Sequence, residues 1–161
     1  MNPTVTLTIP RLPNYDAVGA NARHRNHWKA RWVAEVTERT RWIEELVVLG
    51  FRSREQPLIL GLVKVRATLI FPSKKMPDKI DNLISGLKPL FDVLEPWRII
   101  NVKGQTRGWC GVYENDRNLS WMEPPIVQID PDLAPLIALE FYDDPKQRKT
   151  LKHAECVDIP I

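Results

Sequence analysis

The stretch PDKIDNLISGLKPLFD, residues 77–92, joins the end of an extended segment to an amphipathic helix. From Asp81 to Leu94, apolar residues recur every three or four positions, which predicts a helix with one stripe facing a core. The stripe consists of Leu83, Ile84, Leu87, Leu90, Phe91 and Leu94. Asp81 suits the N-cap position. Pro89 should bend the helix, because it cannot donate to the carbonyl of Ser85.

The segments on either side of this helix predict strands and one longer helix. β-Branched and other apolar residues predict strands at Thr4–Ile9, Leu58–Phe71, Trp121–Asp130 and Pro135–Tyr142. Helical spacing predicts a helix from Asn26 to Leu49. Residues 10–21 and 95–111 are expected to be irregular, since both are rich in turn formers. The order β-α-β-α-β-β predicts an α+β fold, a mixed sheet with two main helices packed on it.

Length and composition predict a soluble protein. The chain has 161 residues, which favours one domain, and we expect it at residues 1–143 with a tail at 144–161. No apolar run approaches the ~20 residues of a membrane span, and the first ten residues do not resemble a signal peptide. Two cysteines, Cys110 and Cys156, form neither a disulfide framework nor a metal motif. We expect a cytoplasmic protein, because a reducing compartment is the default for a chain without a disulfide framework.

The positive charge of the chain is concentrated in several segments. The net charge is +3, yet residues 21–42 carry six Arg or Lys against two Glu. Basic segments that face one way would bind a polyanion such as DNA, whereas scattered ones form an ordinary solvated surface. The candidate DNA-binding residues are Arg23, Arg25, His27, Lys29, Arg31, Lys74, Lys75, Lys79, Arg98, Lys103 and Arg107.

The six tryptophans divide into two groups. Trp28, Trp32 and Trp42 lie on the long helix and are expected in the core, which is where large aromatic side chains are most often found. Trp97, Trp109 and Trp121 form the second group, in which either packing or base stacking is open, and Trp97 and Trp109 lie in the basic segment 95–111.

Carboxylates near the start of the second helix are candidates for a metal site. Asp78 and Asp81 are three residues apart and can reach one point if Asp81 begins the helix. Asp116, in a polar loop, would come from elsewhere in the fold, and the amide of Asn82 could ligate the ion or hold a carboxylate. Mg²⁺ prefers such hard oxygen ligands, with Mn²⁺ as a substitute. We therefore expect Mg²⁺ bound by Asp78, Asp81 and Asp116.

One helix face could carry the rest of the chemistry. Asp81, Ser85, Lys88 and Asp92 share this face, because seven residues make almost two turns. Lys88 could meet a phosphate or the charge that develops during its hydrolysis. The alternative interpretation is structural, with Asp81 as a cap and Lys88–Asp92 as a surface ion pair.

The pattern resembles the RusA family of Holliday-junction resolvases, especially its phage and prophage members. The resemblance is carried by Ile80-Asp81-Asn82-Leu83-Ile84, Leu87–Leu94 and Gly111–Arg117, and it covers roughly residues 4–142. It implies a RusA-like fold in which Asp81 and Asp116 are metal-binding catalytic residues. Asp78 and Lys88 would join them, with supporting roles for Asn82, Ser85 and Glu114.

The chain departs from the family pattern at three places. Lys79 stands where the family has its first Asp, so either Asp78 takes over or that ligand is lost. Ser85 stands where the best-known catalytic lysine falls, and Lys88 lies one turn further on, as in some phage relatives. Residues 95–110 are longer than the usual link, either as a DNA-contacting loop or as an insertion.

The resemblance implies a Mg²⁺-dependent endodeoxyribonuclease of DNA recombination and repair. Such enzymes act as homodimers that bind four-way junctions and nick them symmetrically, which suits a two-fold substrate. Three alternatives stay open. The chain could bind junctions without cutting them, cut other branched DNA such as flaps or forks, or be a phage protein that binds a protein partner.

Overall fold

A mixed β-sheet built around one long strand organises the part of the chain that the computed structural model describes, namely residues 2–19, 27–51, 57–74, 80–95, 97–100, 106–109 and 111–143. The helices are α1 (Tyr15–Val18), α2 (Trp28–Val48) and α3 (Ile80–Leu94), with a 3₁₀ turn at Asp116–Asn118. The strands are β1 (Val5–Ile9), β2 (Val63–Phe71), β3 (Trp97–Ile100), β4 (Thr106–Trp109), β5 (Leu119–Trp121), β6 (Ile126–Ile129) and β7 (Leu136–Asp143).

Strands β2 and β7 form the centre of the main sheet, which has five strands within the described residues. β7 runs antiparallel to β1 on one side and to β2 on the other, with Leu139 opposite both Leu7 and Ala67. β5 and β6 both run parallel to β2, where β5 pairs with its first residues and β6 with its last four. The mixed sheet predicted from the sequence is confirmed.

Both long helices cover one face of this sheet. Along β2 every second side chain from Val63 to Phe71 is buried, as the two-residue period of a strand requires. These side chains form a common core with Trp42 and Leu46 of α2 and the apolar stripe of α3. An α+β fold with two main helices on the sheet is therefore confirmed.

Helix α3 follows the predicted amphipathic pattern closely. Five of its six predicted stripe residues, Leu83, Leu87, Leu90, Phe91 and Leu94, are buried, and Ile84 is half-buried. The helix continues through Pro89 to Leu94. It begins at Ile80, which places Asp81 inside the first turn, so the prediction that Asp81 is the N-cap was wrong.

Two predicted strands are shorter than the sequence indicated. β2 begins at Val63 because Gly61, with φ of 95°, turns the chain away from extended geometry. The segment from Trp121 to Asp130 is divided between β5 and β6. Pro124 and Pro125 lie at the break, and a proline has no N–H to donate to a sheet.

Two segments predicted to be irregular contain regular structure. Residues 10–21 include the short helix α1, whose Tyr15 ring packs against α3 at Gly86, where a Cβ would collide with it. Residues 95–111 include β3 and β4, which pair antiparallel with Trp97 opposite Trp109. The expected plain loop was therefore wrong for 97–100 and 106–109.

Candidate functional site

The solvent-facing side of α3 presents the polar residues that the sequence placed on one face. Asp81 and Lys88 are exposed, and Ser85 and Asp92 are half-buried. The Ser85 hydroxyl donates to the backbone carbonyl of Asn82 at 3.1 Å, so it is engaged within the helix. This face is the starting point of the candidate site.

Two cations hold the carboxylate of Asp92. Lys88 Nζ lies 3.0 Å from Oδ1, which confirms the surface ion pair considered from the sequence. From α2, Arg39 donates through Nε at 3.1 Å and Nη2 at 2.6 Å, both to Oδ2. Because both oxygens of Asp92 are occupied, Asp92 tethers Lys88 to the helix surface and ties α2 to α3.

A second group of carboxylates lies at the C-terminal end of α3. Burial raises the pKa of Glu95, and the negative charges of Asp116 and Asp92 raise it further, while the backbone N–H of Asp116 and the charge of Lys88 oppose this. Within the part of the chain that the structure describes, the buried Oε1 of Glu95 has no hydrogen-bond partner. The partial negative charge at a helix C-terminus adds to this potential. The end of α3 is therefore a place where a cation would be stabilised.

Close backbone contacts bring the loop of Asp116 to this end of the helix. The N–H of Val112 donates to the Leu94 carbonyl at 2.7 Å, and the Tyr113 hydroxyl donates to the Phe91 carbonyl at 2.7 Å. Gly111 is required in this contact, because a Cβ there would overlap the Leu94 carbonyl. The 3₁₀ turn of Asp116 then begins at Asn115, whose Oδ1 accepts from the Arg117 N–H at 2.9 Å.

The charges of the same carboxylates also act on Tyr113. Burial raises the pKa of Tyr113, and the charges of Glu95, Asp92 and Asp116 raise it further, in that order. Tyr113 is fully buried. Its ring therefore forms part of the floor beneath the acidic group.

The predicted metal ligands lie toward opposite ends of α3. Asp81 is in the first turn, and eleven residues separate it from Asp92, which corresponds to ~16 Å along the helix axis. Asp116 contacts Glu95, just beyond the other end. Within the described ranges, no three His, Cys, Asp or Glu side chains form a group that could hold a metal ion. Asp78, the third predicted ligand, lies outside the described residues.

The predicted supporting residues have different surroundings. Asn82 is buried, with 7% of its surface exposed, and so is placed to support a neighbouring group. Ser85 bonds within its own helix, and Glu114 is exposed in the loop before Asp116.

The predicted DNA-binding residues are described only in part. His27 caps α2, where Nδ1 accepts from the Lys29 N–H at 3.4 Å. Lys29 and Lys74 are exposed, and Arg31 is half-buried. Arg98 and Arg107 lie opposite Gly108 and Ile99 on the paired strands β3 and β4. Arg23, Arg25, Lys75, Lys79 and Lys103 lie outside the described residues.

The tryptophans of α2 do not behave alike. Trp42 is fully buried, with the Arg11 guanidinium 4.2 Å from its ring centroid. Trp28 and Trp32 are 59% and 63% exposed, so the prediction that they lie in the core was wrong. The side chains that α2 turns toward the core come from its second half, at Glu38, Trp42 and Leu46.

Sequence reasoning missed two residues of this site, Arg39 and Glu95. Arg39 reaches Asp92 across 53 positions, and no local spacing reveals such a contact. Glu95 directly follows the last helical residue, so the sequence alone indicates that it lies close to Asp92. The approach of Asp116 depends on the tertiary fold.

Comparisons with known proteins leave the family of the chain undetermined. No protein-family model matches it, and no curated protein matches it either. Among the described residues, every helix is too short or too polar to cross a membrane.

Proposed function

We propose that the protein is a Mg²⁺-dependent endodeoxyribonuclease that resolves four-way DNA junctions in recombination and repair. The observation that carries the proposal is the polar face of α3. Asp81, Lys88 and Asp92 lie along this face, and the carboxylates of Glu95 and Asp116 lie at its C-terminal end. The RusA-like order of elements, a cytoplasmic location and a homodimer belong to the same proposal.

The donor chemistry of this face fits a magnesium ion. Asp81, Glu95 and Asp116 offer hard carboxylate oxygens, and Oε1 of Glu95, which has no partner among the described residues, is an acceptor that a cation would satisfy. Because Asp81 and Asp116 lie toward opposite ends of α3, they would not share one ion within a chain. Asp81 with Asp78 would hold an ion at the N-terminal end, and Asp116 with Glu95 would hold a cation at the C-terminal end. When bound, Mg²⁺ would supply an activated water and neutralise charge on the phosphate.

The protein side chains would bind and orient the DNA. Lys88 is exposed and ion-paired through a single oxygen of Asp92, so it can turn toward a phosphate without leaving the helix face. Its charge would stabilise the negative charge that develops on the phosphate oxygens. Arg39 would act as a positioning residue, because it keeps Asp92 in place when Lys88 moves.

The test is cleavage of a synthetic four-way junction with and without Mg²⁺. We expect Asp81→Asn and Asp116→Asn each to reduce cleavage by about a hundredfold or more while junction binding is retained, because a ligand is lost and a phosphate contact is not. Asp132→Asn, in the exposed turn between β6 and β7, is the matched control and should cut normally. Unchanged cutting by Asp81→Asn would overturn the proposal.

A second candidate is a protein of the same fold that binds junctions without cutting them. The observation that favours it is the separation of Asp81 and Asp116 along α3. This candidate expects salt-dependent junction binding by the wild-type protein with no Mg²⁺-dependent product. It is excluded if the wild-type protein produces paired nicks.

A further inference from the structure

The N-terminal half of α2 carries two exposed tryptophans that the core does not use. Trp28 and Trp32 are 59% and 63% exposed, whereas Trp42 on the same helix is fully buried. Four residues separate the two rings, so they lie on the same side of the helix and about 6 Å apart along its axis. We refer to Trp28, Trp32 and the adjacent Lys29 and Arg31 as the indole surface.

Basic residues flank these rings along the sequence. Lys29 Nζ lies 5.5 Å from the Trp28 ring centroid, and the His27 ring lies 5.7 Å from it. Between Asp16 and Glu35 the sequence contains four Arg or Lys and no acid. The first turn of α2 also lacks an acidic residue, so the partial positive charge of the helix N-terminus is not offset there. The surface is therefore complementary to an anion that also offers flat apolar faces.

The extent of the apolar stripe argues against a long helix–helix contact. Beyond Trp32 the exposed stripe continues to Val36, which is 38% exposed, and the same side of the helix then reaches Ile43, which is half-buried and packs against the core. A coiled-coil seam needs apolar positions sustained over at least about three heptads. The rise of about 6 Å between residues 28 and 32 instead approaches twice the ~3.4 Å spacing of bases along a strand.

We propose that the indole surface stacks the unpaired bases of a DNA strand, with Lys29 and Arg31 contacting the adjacent phosphates. Aromatic platforms bind bases of any sequence, because every base has a flat π-face. This inference rests on the proposed function in one respect, since a branched substrate supplies unpaired bases at its branch point. It assigns to Trp28 and Trp32 a role separate from cleavage at α3.

The experiment measures binding in Mg²⁺-free buffer to a labelled oligothymidine, a blunt duplex and a four-way junction. Trp28→Leu and Trp32→Leu keep apolar bulk and remove the flat ring. We expect each to weaken oligothymidine binding about tenfold, and the double variant about a hundredfold, with little change for the duplex. Val48→Ser, at an 82% exposed apolar position on the far end of α2, is the matched control and should bind as the wild-type protein does.

A salt titration separates stacking from phosphate contact. Lys29→Gln should reduce the salt dependence of oligothymidine binding by the equivalent of about one phosphate, whereas the Trp→Leu variants should leave the slope unchanged. Sedimentation of the double variant tests the competing occupant, a second copy of this chain. Loss of a dimer without loss of oligothymidine affinity would overturn the stacking proposal.

The outcomes distinguish this inference from the proposed function. If the wild-type protein cuts junctions and the double variant binds oligothymidine normally, stacking is wrong and the nuclease proposal stands. If the wild-type protein never cuts but the Trp→Leu variants lose oligothymidine binding, stacking stands alone. A wild-type protein that binds none of the three DNAs overturns both.

Discussion

The two ends of α3 carry carboxylates in opposite electrostatic settings. At the N-terminal end Asp81 is exposed and lies where the helix dipole favours negative charge. At the C-terminal end Asp92, Glu95 and Asp116 are crowded together, where the dipole opposes negative charge. The first end is stable as it stands, whereas the second depends on Arg39, Lys88 and a backbone N–H.

The difference shows that one helix can favour negative charge at one end and a bound cation at the other. Acid at the favourable end is stabilised by the helix dipole itself. At the unfavourable end, burial and then the charges of Asp116 and Asp92 raise the pKa of Glu95, and this crowded negative charge attracts cations. A cation bound there would reduce the electrostatic repulsion that Arg39, Lys88 and the backbone N–H only partly offset.

The largest loss of stability is expected from Gly111→Ala, which disturbs only the contact at the C-terminal end of α3. The new Cβ would overlap the Leu94 carbonyl, so the backbone must shift, and we expect a loss of about 3 kcal/mol in the free energy of unfolding. Gly50→Ala is the control, because Gly50 has φ of 85° and open space, and should cost only about 1–2 kcal/mol. Denaturant unfolding measures both, and equal losses would contradict the crowded contact.

A smaller effect is expected from Arg39→Gln, which leaves Asp92 with Lys88 as its cation. We expect a loss of about 1–2 kcal/mol, since a two-pronged, partly buried contact exceeds an ordinary surface pair. Arg41→Gln is the matched control, because Arg41 is 52% exposed and lies 3.8 Å from Glu38. In thermal unfolding, Arg39→Gln should have a clearly lower Tm than Arg41→Gln.

The sequence predicted the elements whose signal is local. The stripe of α3 and the alternation of β2 each follow from side-chain spacing within one element, and both were confirmed. Trp28 and Trp32 were misplaced because spacing tells which residues share a face and cannot tell whether another element covers that face. The Arg39–Asp92 contact joins positions 53 apart, and the approach of Asp116 to Glu95 depends on the packing of Gly111. Contacts of this kind arise only from the tertiary fold.

Lys88→Gln should separate stability from function. The Lys88–Asp92 pair is an exposed i,i+4 contact, so we expect only about 0.3–0.5 kcal/mol of lost stability. Under the proposed mechanism, junction cleavage should fall by about a hundredfold, because a charge that stabilises the transition state is removed. Lys64→Gln, on the opposite face of the sheet, is the control for general charge loss. A variant that cuts normally would remove Lys88 from the mechanism.

The smallest effect is also the most direct test of the two ends. Removing the negative charge should change the free energy of unfolding in opposite directions at the two ends of α3. The pKa of Glu95 is raised above its ordinary value of 4.5, so the folded protein holds this proton more tightly than the unfolded chain does. The contribution of Glu95 is therefore neutral below about pH 4 and becomes destabilising as the pH rises through the folded pKa. Glu95→Gln should be slightly more stable than the wild-type protein at pH 7, and this advantage should vanish at low pH.

Asp81→Asn is the matched change at the other end of α3. It should lower stability at pH 7 by a few tenths of a kcal/mol (about 0.3), because a favourable interaction with the helix dipole is lost. Urea unfolding of both variants at several pH values measures the two signs. Adding Mg²⁺ should reverse the advantage of Glu95→Gln if the ion uses this carboxylate, since ligand binding stabilises only the folded protein that retains the ligand oxygen. The same sign at both ends would mean that the dipole and the crowding of Asp116 do not set the charge preference along α3.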